Sequence, residues 1–257
     1  MKVDVSADLV KGALGGMLFG ATAVLGCQSL CAYLQRPKDL KVVYFAMSGR
    51  AGPIRAALQL GKIKYENAFV NSDSLKELKP KLPFGQVPVI EMDGEVAAQS
   101  GAILRYVGKL SGLYPTNAYR ALKVDEIIDG VDDTISVLIP SLMESDKDKK
   151  LRMRKDLIKS GGALRQRLQR LADRMESNTG AFAAGSRLSI ADLSVASFTR
   201  SITNGEGLDF IPNAILNEYP ALSDHLARMN TLQCWGLEYA SFGHAEQADN
   251  ALSDKGG

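Results

Sequence analysis

Pro83-Phe-Gly-Gln-Val-Pro-Val-Ile-Glu-Met-Asp-Gly-Glu-Val-Ala-Ala-Gln-Ser100 carries a proline where a hairpin should supply a ladder donor, and it ends on a polar helix start. Val87, Val89 and Ile90 read as a short buried strand, Asp93-Gly94 as a two-residue hairpin turn, and Val96 to Ala98 as the returning strand. Pro88 has no N–H to give a ladder, so the backbone of Val87 is free to pair with something other than a neighbouring strand. A cis Val87-Pro88 bond would suit that arrangement. Gln99-Ser100 then precede a run through Leu110 with helical apolar spacing, which makes Ser100 the expected N-cap. Free N–H groups at a helix start attract carboxylates and phosphates. On its own, Ser100 needs no role beyond capping.

Upstream, Val42 to Met47 reads as a strand, Ser48 to Pro53 as a loop, and Ile54 to Leu60 as a helix closed by Gly61. Ile63, Tyr65, Asn67 and Phe69 alternate, so Lys62 to Val70 is a second expected strand. The order to Leu110 is therefore βαβ, a loop, then ββα. That order, with a proline at a strand start, points to an α/β thioredoxin-like domain of one small sheet and two or three helices. Beyond Gly112-Leu-Tyr-Pro115 the pattern is all-α, with three- and four-residue apolar spacing through Val124 to Ile139 and Leu151 to Met175. Ser189-Ile-Ala-Asp192 is a capping-box pattern ahead of Leu193 to Ile202, and Tyr219-Pro220 restarts a last helix through Leu222, Leu226 and Met229. The expected division is 1–40 apolar segment and linker, 41–112 thioredoxin-like domain, 113–243 helical domain and 244–257 disordered tail.

With 257 residues and 46% apolar composition, the chain is an ordinary globular one, and its net charge of +2 gives no electrostatic case for nucleic acid as a partner. Lysines and arginines from Lys147 to Lys155 are interleaved with Asp146, Asp148 and Asp156, as on a solvated helix face. Cys27, Cys31 and Cys234 form neither a disulfide framework nor a zinc spacing, and His225 and His244 are the only histidines. This composition argues against a Ser-His-Asp hydrolase and against a His-ligated metal enzyme.

Residues 12–35 contain no charged side chain, and Gly12, Gly16 and Gly20 recur at every fourth position. The run is long enough to span a bilayer and its small-residue face permits close helix packing there. A membrane anchor, a targeting segment and an extra soluble helix all remain open; Asp4 and Asp8 fit a targeting segment badly. For an anchor, Arg36, Lys38 and Lys41 outnumber Lys2 and Lys11, which places the folded part on the cytoplasmic side.

Tyr44-Phe45 with Gly49-Arg50, then Leu82-Pro-Phe-Gly-Gln-Val-Pro-Val89, Asp93-Gly94, Gln99-Ser100 and Arg105-Tyr106, resemble the cytosolic-type glutathione transferases of the tyrosine classes. The sigma class, to which haematopoietic prostaglandin D synthase belongs, is closest in pattern, and the resemblance covers residues 41 to about 243. It implies glutathione as co-substrate and a hydrophobic electrophile as second substrate. A strand tyrosine is ordinarily core packing and a loop arginine ordinarily a surface ion pair; the matched block changes both readings. By similarity, Tyr44 donates its phenolic hydrogen to the glutathione sulfur, stabilising the thiolate, and Arg50 adds positive charge nearby. Val87, freed by Pro88, pairs with the tripeptide's cysteinyl backbone as an added strand would. Gln99 and Ser100 bind the γ-glutamyl carboxylate, and Lys79 with Gln86 takes the glycyl end. The same resemblance implies a homodimer in which Asp133 reaches the glutathione amine of the neighbouring site.

Asp125, Asp129 and Asp132 share one helix face, where unbalanced like charge costs a few tenths of a kcal/mol per pair, so positive partners are expected. Oxygen ligands alone do not define a metal site, and no metal is assigned. Three positions depart from the sigma pattern: Ser48 where arginine is frequent, Gly52 where glutamate is frequent, and Leu75 in place of a tryptophan that contacts glutathione. Ser48 is also the rival activating hydroxyl, since serine classes use that loop. The resulting expectation is a transferase that activates the glutathione thiolate. A prostaglandin D synthase-like isomerase and a non-catalytic glutathione or hydrophobic-ligand binder stand as alternatives.

Overall fold

Strand β1, Leu40–Tyr44, sits inside a four-stranded mixed sheet of order β2-β1-β3-β4, in a computed structural model that describes residues 36–205, 208–232 and 234. It pairs in parallel with β2 (Glu66–Phe69) and antiparallel with β3 (Val89–Met92), which pairs antiparallel with β4 (Glu95–Ala98). The period-two rule divides its side chains cleanly. Leu40, Val42 and Tyr44 join the main core with Ile90, while Val43 and Val89 join a smaller cluster with Val70, flanked by Leu78 and Leu82. Asp93 at φ 49 and Gly94 at φ 90 make the tight β3-β4 turn that the sequence calls for.

Between β1 and β2 runs α1, Gly52–Leu60, entered through a 3-10 turn at Gly49–Ala51. After β2 comes α2, Ser72–Leu78, and after β4 comes α3, Ser100–Ser111, which ends on Gly112 in the left-handed region. This is the thioredoxin-like arrangement. The regular elements that follow among the described residues are helical: α4 (Ala118–Ser136), α5 (Ile139–Leu142), α6 (Lys147–Ile158), α7 (Ala163–Glu176), α8 (Ile190–Asn204) and α9 (Pro220–Met229).

Helix α8 is the centre of this second part. Every residue from Ile190 to Thr199 is buried, and the helix packs against α1, α4 and α9. Its small residues, Ala191, Ser194, Ala196 and Ser197, let neighbouring helices approach. Its fully buried Leu193 and Ile202 each contribute about 1.5–3 kcal/mol of transfer free energy. The expected capping box is present: Asp192 Oδ2 accepts from the Ser189 N–H at 2.8 Å and from Ser189 Oγ at 3.0 Å. The buried carboxylate also accepts from the Ala183 N–H at 2.7 Å and lies 3.0 Å from His225 Nε2 of α9, so one side chain fixes the loop, the helix start and the last helix.

Several sequence expectations shift. β1 stops at Tyr44 rather than Met47 because the Phe45 and Met47 carbonyls turn to the Arg55 guanidinium instead of a strand. β2 is shorter than Lys62 to Val70, since the Ile63 N–H still bonds the Leu58 carbonyl at the exit of α1. β3 starts at Val89, not Val87. Helix α2 stands where a loop was expected; none of its residues is fully buried, and its cap is Asn71 paired with Ser74. The apolar run Leu151 to Met175 breaks into α6 and α7 at Gly161 and Gly162. Ser100 is the first residue of α3, not its cap; Gln99 holds the cap position at φ 72, without a side-chain cap bond. No helix among the described residues is long and apolar enough to cross a membrane. The expectations for residues 12–35 and for the tail after 243 lie outside the described residues.

Candidate active site

A cleft of about 670 Å³ opens beside the end of β1. Tyr44, Arg50, Lys79, Gln86, Val87, Pro88, Gln99 and Ser100 all line it, so the sequence-derived binding set converges on one place. Asp133, expected to reach the site of a second copy, lies outside this chain's own cleft. Its carboxylate is engaged by Arg167 of α7 at 2.9 Å, and Asp132, one position earlier, faces the cleft instead.

Tyr44 owes its placement to backbone around it. Its side chain continues the Leu40, Val42 row, so it reaches the cleft from the helix-covered face of the sheet. Its hydroxyl accepts a hydrogen bond from the Arg50 N–H at 3.2 Å. Gly49 sits at φ 40, and a Cβ there would fall 2.6 Å from the Tyr44 hydroxyl, so the turn must be glycine to let the phenol in. Arg55 braces the same segment from inside. It has no exposed surface, donates to the Met47 carbonyl at 2.6 Å and to Asn67 Oδ1 at 2.7 Å, and lies 5.9 Å from the Tyr44 ring centroid.

Ser48, the other hydroxyl in the loop, is turned away. It is fully buried, with Oγ 3.1 Å from Ser197 Oγ on α8. Of the two rival hydroxyls, Tyr44 and not Ser48 belongs to a cleft-lining residue.

The Val87-Pro88 bond is cis, and both residues face the cleft. Beside them, just past the Val89–Ala98 pair, Gln99, Ser100 and Gly101 bring the start of α3 to the wall. A non-glycine residue at positive φ is uncommon outside turns and functional sites, and Gln99 is one here. Arg50 links the parts: Nη1 donates to Asp132 Oδ1 at 2.8 Å and lies 3.4 Å from Ser100 Oγ. Leu75 of α2 and Lys79 also line the cleft.

The compensating charges expected for the acidic helix face are arginines. Arg105 donates to Asp125 and to Asp129, each at 2.7 Å, and Arg174 meets Glu126. Burial works to lower the Arg105 pKa, but its hydrogen bonds to Asp125 and Asp129 outweigh it and hold the group above its ordinary value. Tyr114 donates to Asp125 Oδ2 at 2.7 Å; burial, then this bond and the Asp125 charge, push its hydroxyl up to about 12. Sequence reading missed Asp132 as a cleft residue and Arg55 as a brace. The i, i+7 spacing of Asp125 and Asp132 carried a signal for the first; no pattern marked the second.

The other half of the cleft is apolar. Ile135 of α4, Ile139 and Leu142 of α5, Met143, Phe198 of α8 and Leu208 wall it, with Ser194 and Ser201 adding hydroxyls from α8. One half of the cleft can hold a polar peptide and the other a lipophilic molecule.

The model of the glutathione S-transferase N-terminal domain matches residues 39–109, and that of the C-terminal domain matches residues 132–233. The chain belongs to the glutathione S-transferase family. Glutathione transferase activity, with glutathione as co-substrate, follows from that membership, and the sigma-like pattern agrees with the relatives. Glutathione S-transferase 3 of Caenorhabditis elegans is 28% identical over 199 residues, covering 73% of this chain and 95% of that protein. Haematopoietic prostaglandin D synthase of Mus musculus is 39% identical over 120 residues, covering 47% of this chain and 59% of that one. Among solved structures, prostaglandin synthase D of Nilaparvata lugens superposes with a TM-score of 0.68 at 26% identity, covering 77% of this chain and 96% of the other.

Proposed function

We propose that this transferase conjugates glutathione to lipophilic electrophiles, with Tyr44 activating the thiol. The observation that carries the reading is the convergence of the Tyr44 hydroxyl, Arg50, the Val87-Pro88 backbone and the Gln99-Ser100 helix start in one cleft with an apolar half. Tyr44 donates its hydroxyl hydrogen to the glutathione sulfur and so favours thiolate over thiol. Because the same oxygen accepts from the Arg50 N–H, its O–H is polarised towards the sulfur. Arg50 adds positive charge at that end. The thiolate then attacks the electrophilic carbon; the C–S bond forms as the leaving group departs, or, in addition to a double bond, as the adjacent carbon takes a proton.

Binding divides along the cleft. The Val87 backbone pairs with the cysteinyl unit, Gln99 and Ser100 take the γ-glutamyl carboxylate at the start of α3, and Lys79 with Gln86 holds the glycyl carboxylate. Asp132, already bonded to Arg50 at 2.8 Å, is the carboxylate that this chain's own cleft offers the glutathione amine through its second oxygen. Asp133 would have to leave Arg167 to serve a second copy of the chain in a homodimer. An anchor at residues 12–35, supported by the absence of charge there, would hold the enzyme on the cytoplasmic side of a membrane.

Isomerisation is the second reading, favoured by the similarity to proteins named prostaglandin D synthase; there the thiolate attacks an endoperoxide oxygen, the S–O bond forming as the O–O bond breaks and the freed oxygen takes a proton, and loss of the proton from the carbon bearing the sulfur-bound oxygen then forms the carbonyl and releases the thiolate. Turnover of a chloro-nitro-aromatic substrate tests the first reading and turnover of a prostaglandin endoperoxide the second. Retention on a glutathione column with neither turnover establishes a binding protein instead. Carbonate extraction of native membranes tests the anchor: release into the supernatant overturns it.

A further inference from the structure

Two short pieces of chain shape the apolar mouth of the cleft. One is α5 with Met143 after it, and the other is the turn at 208–211, whose Leu208 faces the cleft. Neither is stiff by itself. α5 is a single turn, and the second piece is closed by the Ile211 N–H bonding the Leu208 carbonyl at 3.1 Å, with Phe210 at φ 66. A non-glycine residue in the left-handed region is disfavoured and persists only where its surroundings hold it.

Behind both pieces lies Arg154 of α6, with no exposed surface. Its Nε donates to Ser141 Oγ on α5 at 2.6 Å, and its Nη1 donates to the Asp209 carbonyl in the turn at 2.9 Å. Ser141, also fully buried, relays the contact: its hydroxyl donates to the Leu138 carbonyl at 2.8 Å, and Leu138 is again a cleft residue. Burial lowers the Arg154 pKa, opposed by the charge of Asp209. A buried cation is costly to keep, and well-packed apolar residues often serve stability as well or better. What a guanidinium supplies that an aliphatic chain does not is a planar fork of fixed donors, able to hold two acceptors at a set spacing.

We propose that Arg154 is a positioning residue for the second substrate: by tying Ser141 to the Asp209 carbonyl, it sets the width of the apolar mouth from outside the cleft. This rests on the transferase reading of that cleft. Arg154 does not line the cleft, and the glutathione half of the cleft is built without it.

The test compares Arg154→Met, Arg154→Lys and Ser141→Ala in the full chain, with steady-state kinetics for both substrates and hydrogen exchange of the backbone. For Arg154→Met, KM for a bulky aromatic electrophile rises about fivefold or more while KM for glutathione stays within about twofold. Exchange accelerates in 138–143 and 208–212 together, with the 89–98 hairpin unchanged. Arg154→Lys, which restores one donor arm, falls between Arg154→Met and the parent. Equal change in both KM values, loss of kcat alone, or faster exchange in only one of the two segments overturns the proposal. Should Arg154→Met fail to fold, Ser141→Ala removes only the α5 arm and must give the same KM split; an electrophile KM equal to the parent's overturns it. Absence of turnover in the parent chain overturns the transferase reading instead, and paired exchange then decides the clamp by itself.

Discussion

At its sheet end the cleft is made of backbone at uncommon dihedrals, Gly49 at φ 40 and Gln99 at φ 72. At its helical end it is made of side chains on ordinary helices, Ile135 on α4, Leu142 on α5 and Phe198 on α8. The contrast suits what the proposed function asks of each end. A tripeptide with two carboxylates, an amine and a thiol needs donors at fixed points, and main-chain groups cannot swing away as side chains do. An assortment of lipophilic electrophiles needs apolar area, which many side-chain combinations supply.

Tyr44→Phe probes the sheet end hardest. Losing the hydroxyl removes the donor to sulfur, and kcat/KM should fall about 10²-fold, comparable to deleting one preorganised donor to a developing anion. Glutathione KM should hardly move, and the thiol pKa of the bound tripeptide, followed by thiolate absorbance, should rise. An unchanged thiol pKa would take the activating role from Tyr44.

Asp192→Asn strikes the helical end without touching the cleft. The buried carboxylate gathers donors from Ala183 and Ser189 and faces His225, so an amide in its place should cost about 2–3 kcal/mol, read as a lower denaturant midpoint. Glutathione KM in native buffer should stay near the parent value. Gly49→Ala is next: with a Cβ 2.6 Å from the Tyr44 hydroxyl and an unfavourable φ, it should lose about tenfold in kcat/KM, near 1.4 kcal/mol. A full-rate Gly49→Ala enzyme would show that the phenol position is not fixed by this turn. Leu75→Trp is the mildest. An indole at the Leu75 position on the cleft wall adds packing and an N–H donor, so glutathione should bind about threefold tighter by calorimetry. An unchanged Kd would remove Leu75 from the account of affinity.

The same contrast explains what the sequence discloses. Backbone that must adopt a rare conformation needs particular residues, so Pro88, Asp93-Gly94 and Gly49 stand in the chain as marks that can be read. The β3-β4 hairpin was legible for that reason, the α8 capping box from its Ser-x-x-Asp spacing, and the pairing of Tyr44 with Ser100 only through the family resemblance. Helix α2 was not, because its half-exposed turn buries nothing completely and carries no periodic apolar face. The cap of α3 was misplaced by one residue, since Ser100 has cap chemistry while Gln99 has cap geometry. Arg55 and Arg154 were invisible because a buried arginine has no local signature; its acceptors, at Phe45, Met47, Ser141 and Asp209, are defined only once the chain has folded. Asp133 and Asp132 differ by one step on a helix, about 100° of rotation, which turned one to Arg167 and the other to the cleft.

Helix α8 from Ile190 to Thr199 has no solvent face, and that sets the limits of redesign. A saturation library over this stretch would return mostly unfolded clones, whichever activity was selected. Ile139, Leu142 and Met143 are at least partly exposed while still facing the cleft, so they can absorb new volume. New electrophile preferences, by laboratory selection or natural drift, would therefore be written first on α5, with α8 as the fixed surface against which each variant is fitted.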